Sequence, residues 1–173
     1  VLLGRAILVG MLVAATLAVF PSLALATSGT TSVIRVEGNE VVGLGRWNLT
    51  SDRTLSGARA AFGKPTSTRR YPDDQIPWCD VRWKARRIEA TFDLTAGRCS
   101  DVALFYTYAP SWRTSDGLWV GDPTGRIRVV YPAALFATTE WKLLDFKNGS
   151  HTAMSAIPRA GRVHHLTLAF WWG

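Results

Sequence analysis

Between Cys79 and Leu94 the apolar residues fall on alternate positions, Cys79, Val81 and Trp83 in one run and Ile88, Ala90, Phe92 and Leu94 in the next. The basic stretch Lys84-Ala85-Arg86-Arg87 separates the two runs. Side chains alternate between faces along a strand, so the pattern is that of a β-hairpin with one buried face and one solvated face. Such a face is stable only against a second layer, which the rest of the chain has to supply. Residues 102–109 (VALFYTYA) read as a further strand. Cys79 and Cys99 are the chain's two cysteines. An even count with this spacing predicts a disulfide tying the start of the hairpin to the loop leaving it, and no redox C-x-x-C or His-rich metal spacing accompanies it.

The first 26 residues differ sharply from the rest. Arg5 is their one charge, an apolar run from Ala6 to Phe20 follows, and Ala24-Leu25-Ala26 closes the segment. Basic start, apolar core and small-residue exit predict a secretory signal peptide over 1–26, with an uncleaved membrane anchor as the competing reading. The overall 47% apolar fraction is inflated by this segment, and what remains has ordinary hydrophobicity. A chain opening on Val rather than Met fits a GTG start or a truncated chain, and sixteen Arg against four Lys suggest a GC-rich genome, which favours the GTG start. A chain of 173 residues with net charge +7 excludes a multi-domain enzyme, a polytopic membrane protein and a long disordered tail. The expected product is secreted, with any membrane association confined to an uncleaved leader.

Beyond a polar leader over 27–34, two segments follow one plan. In the first, over 35–110, the Gly-Leu turn Val41–Gly45 leads to Asp52-Arg53-Thr54 as N-cap candidates. Leu55, Ala58 and Phe62 then repeat at helical spacing, Gly63 supplies a C-terminal cap and Pro65 forbids continuation. In the second, over 111–173, Gly117–Gly121 precedes Asp122-Pro123 as N-cap and first helical position. Ile127, Val130 and Tyr131 form its stripe and Pro132 stops it. Trp141–Phe146, Met154–Ile157 and a last run with Leu166, Leu168, Phe170 and Trp172 on one face read as strands, with turns at Asn148-Gly149 and Arg159–Arg162. The expected fold is α+β: two similar units, each a short helix followed by antiparallel strands, with an internal offset of 69 residues between Phe62 and Tyr131.

The Gly-Leu turn, the short helix ending in Phe-Gly or Tyr-Pro and the closing Gly-Arg-Val strand (Thr54–Gly63 with Cys79–Leu94, Gly117–Tyr131 with Gly161–Phe170) resemble two bacterial envelope families. These are the β-lactamase-inhibitor-protein-like domain and the small outer-membrane-assembly lipoprotein domain. A group of secreted proteins of GC-rich Gram-positive bacteria is similar too. The resemblance implies a two-layer α+β fold without catalysis, whose sheet face binds protein. The chain departs from the first family in having one Cys pair rather than one per unit, and from the second in lacking a lipidation Cys.

Chemistry-bearing residues are sparse. No G-x-S-x-G occurs, and Asp73, Asp74, Asp80 and Glu89 are the material for a paired-carboxylate hydrolase, with Asp73-Asp74 better read as turn residues. His164 and His165 are adjacent on a predicted strand, so alternation sends their rings to opposite faces. Neither a metal nor a cofactor is implied. Arg82, Lys84, Arg86 and Arg87 form a basic hairpin tip suited to an anionic partner; for a secreted chain that partner is an acidic protein or anionic wall polymer rather than nucleic acid. Eight Trp exceed the needs of a small core, and Trp47, Trp78, Trp112 and Trp119 lie in or beside predicted turns, where exposed indoles anchor interfaces. The expected function is a monomeric, non-enzymatic binding module using this Trp/Arg surface. An inhibitor of a secreted or wall-associated enzyme is the alternative, and a small hydrolase is the third reading.

Overall fold

The computed structural model describes residues 32–146 and 150–171. The predicted signal peptide, the Asn148-Gly149 turn and Trp172 lie outside them. The hairpin of alternating residues is present as β5 (Trp78–Trp83) and β6 (Ile88–Thr95), paired in register from Trp78↔Asp93 to Trp83↔Ile88. Cys79, Val81, Trp83, Ile88, Ala90 and Phe92 are all buried, as period-two patterning requires. A 3-10 turn over Lys84–Arg86 joins the strands, and Arg87 follows with φ 53°.

This hairpin belongs to an eight-stranded antiparallel sheet. To one side of it lies β4 (Ser67–Tyr71) and to the other β7 (Arg98–Thr107). The C-terminal half contributes β9 (Leu135–Ala137), β10 (Glu140–Leu144), β11 (Thr152–Arg159) and β12 (Arg162–Phe170). The order is β4-β5-β6-β7-β12-β11-β10-β9, two meanders whose last strands lie side by side. Ala160 and Gly161, both at positive φ, make the tight turn between β11 and β12, where the sequence places it. Leu166, Leu168 and Phe170 share the buried face.

A second sheet covers that face. It consists of β1 (Ser32–Glu37), β2 (Glu40–Leu44), β3 (Trp47–Asn48) and β8 (Trp112–Thr114), in the order β3-β2-β1-β8 with β1 and β8 parallel. Helix α1 (Leu55–Phe62) packs beside it with the caps the sequence announces. The Thr54 hydroxyl accepts from the Ser56 N–H, and the Gly63 N–H donates to the Arg59 carbonyl at 2.8 Å. Phe62, at the end of α1, is the hub of the core. Its ring lies 6.0 Å from Trp47, 5.6 Å from Trp83, 6.1 Å from Phe105 and 6.2 Å from Trp112.

Five expectations are corrected by this architecture. The fold is not α+β in two helix-plus-strand units; it is mostly β, with two sheets of four and eight strands and two short helices among the described residues. Strands from both halves share the large sheet, and the small sheet pairs β1 with β8 across the expected unit boundary, so neither half closes a layer by itself. Val41–Gly45 is not a turn opening a helix: β2 runs through Leu44, and the turn begins only at Gly45, φ 59°. The expected polar leader ends early, because β1 starts at Ser32 and Ile34 is fully buried. Asp122 does not cap α2 (Gly125–Val130), which follows Thr124; its carboxylate accepts from the Trp119 N–H at 3.0 Å and pairs with Arg126 at 3.3 Å. The disulfide Cys79–Cys99 is formed, but between strands β5 and β7 rather than into a loop. It spans the stretch where β6 is bulged around Phe92 and Leu94.

Candidate functional site

The outer face of the large sheet carries the residues that alternate with the core. Along β5 these are Trp78, Asp80 and Arg82; opposite them on β6 stand Thr91 and Glu89, and on β7 Tyr106. Tyr71 on the edge strand meets Trp78 edge-on at 5.4 Å, with Trp78 39% exposed. Cross-strand pairing sets the charges: Arg82 reaches Glu89 at 3.4 Å and the Thr91 hydroxyl donates to Asp80 at 3.1 Å. Asp80, Arg82, Glu89, Thr91, Tyr106 and Tyr108 line a shallow hollow of about 220 Å³. Burial, then the nearby carboxylates, raises the phenols of Tyr106 and Tyr108 above their ordinary range, so both stay neutral donors at neutral pH.

The far end of this face corrects the reading of the histidines. Ile157 pairs with His165 and Pro158 with Val163, so a bulge leaves His164 as an extra residue in β12. Alternation breaks there, and both rings come together. Their Nδ1 atoms are 2.9 Å apart, and Tyr108 lies 4.7 Å from the His165 ring and 5.9 Å from His164. Burial, and then the adjoining His164, pushes His165 down to about 4. His165 is therefore neutral at neutral pH, and its Nδ1 shares one N–H···N contact with His164.

The residues singled out in the sequence separate into four groups. Trp78, Arg82, Lys84 and Arg87 are exposed and border the outer face, with Lys84 and Arg87 beside a second hollow at Tyr108. Arg86 is drawn away, its Nε donating to the Phe62 carbonyl at 2.9 Å at the end of α1. Trp119 is half-buried under the Arg113 guanidinium, 5.6 Å from its ring, apart from the hairpin. Trp47 and Trp112 are not surface anchors. They are 2% and 1% exposed, because both sit on strands of the small sheet and pack inward, Trp47 against Phe92 and Trp112 against Phe105, and the Trp47 indole N–H is satisfied by the Asp52 carbonyl at 2.6 Å. Tyr71, Tyr106 and Tyr108 are surface residues that the sequence reading does not single out. Tyr106 and Tyr108 had a legible signal, since they alternate with the buried Phe105 and Thr107.

No known family profile matches the chain, and no curated protein does. Among solved structures the chain is loosely similar to one from Streptococcus mutans described as a "putative beta-lactamase inhibitor protein", at TM-score 0.30 and 11% identity, over 82% of this chain and 92% of that one.

Proposed function

We infer that this chain is a secreted, monomeric protein-binding module, and that it engages its partner through the outer face of the large sheet. The observation that carries the reading is the run of Tyr71, Trp78, Arg82, Tyr106 and Tyr108 across this face, with an exposed Trp78 and half-buried tyrosines among cross-paired charges. Aromatic and Arg side chains on a rigid frame lose little entropy on binding and make good anchors. The interleaved Asp80 and Glu89 favour a protein surface of mixed charge over a uniformly anionic polymer. A disulfide suits an oxidising compartment, in keeping with secretion. An anionic wall polymer is the second reading, and exposed Lys84 and Arg87 at the hairpin tip are what favour it. The same face would serve an inhibitor that covers a secreted or wall-associated enzyme.

The test is inhibition and direct binding against a panel of secreted and wall-associated enzymes, with wild type beside Trp78→Ala and Tyr106→Ala. Binding lost in both variants at unchanged melting temperature supports the face. A partner that binds both variants as well as wild type overturns it. Retention on purified walls that falls steeply with salt, and falls again in Lys84→Ala/Arg87→Ala, would instead favour the polymer.

A further inference from the structure

Away from the outer face of the large sheet, a cleft of about 490 Å³ opens beside the small sheet and the end of α1. Arg35 on β1, Arg46 in the turn between β2 and β3, and Arg86 from the hairpin tip all line it, together with Ser32 and Phe62. No carboxylate is among its described lining residues, and none of these three arginines forms an ion pair among the described residues.

Two of the guanidinium groups are fixed from behind by backbone. Arg35 donates through Nη1 to the Gly45 carbonyl and through Nη2 to the Trp47 carbonyl at 3.4 Å. Its guanidinium lies directly over Gly43, where any Cβ would overlap Nη2 and Cζ, so the glycine makes room for the charge. Arg86 spends only its Nε on Phe62. Most of the N–H donors of both residues therefore remain, while the exposed Arg46 completes the rim. Three cations around one cleft repel each other unless an anion sits between them. A carboxylate can satisfy one guanidinium fork fully, whereas a tetrahedral oxyanion has enough acceptor oxygens for all three.

We propose that the Arg35–Arg46–Arg86 cleft is a phosphate-binding site, either for the free ion or for the phosphodiester groups of a polymer. It shares no residue with the sheet face argued above and stands or falls independently of it.

The experiment is calorimetric titration of the purified protein at constant ionic strength, with inorganic phosphate in one arm and poly(glycerol phosphate) in the other, and chloride as the control. Saturable binding in either arm is expected. Arg46→Gln, an exposed position that leaves the fold intact, should weaken it about tenfold, the scale of one charge-assisted hydrogen bond. Gly43→Ala, which displaces Arg35 without removing a charge, should weaken it as well. Binding of phosphate alone identifies the free ion, and binding of the polymer alone identifies phosphodiester. Absence of saturable binding in both arms overturns the proposal, as does binding that Arg46→Gln and Gly43→Ala leave unchanged.

Discussion

The Nδ1 atoms of His164 and His165 lie 2.9 Å apart, although the two residues are neighbours in a strand. The extra residue in β12 turns both rings toward Tyr108 and leaves them partly shielded from water. Protonating His165 would put a charge into a half-buried site beside the His164 ring.

Stability should therefore fall on acidification over a defined window. The folded-state value of His165 is about 4, below its ordinary 6.5, so between these limits the unfolded chain binds a proton that the folded chain refuses. The contribution is fully present above pH 6.5 and is lost as pH drops toward 4. It is on the order of 1–2 kcal/mol once discounted for the half-exposed ring. Asp93, held above its ordinary range by burial and then by Asp101, titrates with the opposite sign. Thermal melts of wild type and His165→Gln across pH 4–7 isolate the histidine. Parallel curves would show that His165 contributes nothing.

Tryptophan substitutions should divide by layer. Trp112→Ala, at a site 1% exposed and 5.5 Å from Phe105, should cost about 3–5 kcal/mol in denaturant unfolding. Trp78→Ala on the outer face should cost less than about 1 kcal/mol. Comparable losses for the two would contradict the assignment of Trp112 to the core.

An alanine at Gly57 should reverse the usual helix-propensity gain. Replacing a helical glycine normally stabilises by roughly 0.5–1 kcal/mol. Here a Cβ would stand 2.7 Å from both the Asp52 carboxyl carbon and the Trp47 indole nitrogen. It would disturb the Trp47–Asp52 hydrogen bond and the Asp52 carboxylate that accepts from the Thr54 N–H at 2.9 Å and hydroxyl at 2.6 Å. Gly57→Ala is expected to unfold at lower denaturant than wild type; a rise in midpoint would refute the crowding.

Removing the disulfide with Cys79→Ser/Cys99→Ser should cost about 3 kcal/mol by the loop-entropy estimate for a separation of 20 residues. Equilibrium unfolding with and without reductant measures it directly, and a reductant effect that persists in the double variant would assign it to something else.

Local signals made much of this chain readable. The β5–β6 alternation, the Thr54 and Gly63 caps of α1, the closing strand and the cysteine pairing each depend on neighbours within a few residues or on simple parity. What resisted reading was non-local. Residues 32–34 read as the end of a polar leader until β8, some eighty residues later, supplies their parallel partner. Trp47 and Trp112 sit beside turns, and nothing local says that they belong to strands of a second sheet that face the core. His164 and His165 obey alternation in the sequence, and the bulge that defeats it shows only in the pairing with β11. Trp78 is legible in the sequence only as a Trp beside a turn and Arg82 only as part of the basic hairpin tip; Tyr106 and Tyr108 lie on the same face and need the parity argument carried one strand further.

The seam between β7 and β12 carries a consequence for how the chain reaches its native state. Four residue pairs, Leu104↔Ala169 to Thr107↔Leu166, unite the two meanders. Until residue 169 is available, β7 presents an unpaired row of amides and carbonyls, flanked by Leu104 and Tyr106. Nucleation within either hairpin is local and fast, but closure of this seam must wait for a loop of more than fifty residues to be spanned. The vulnerable species on the way to the folded protein is thus an open-edged half-sheet, and a chain interrupted before its final strand would be the one to assemble with its own copies.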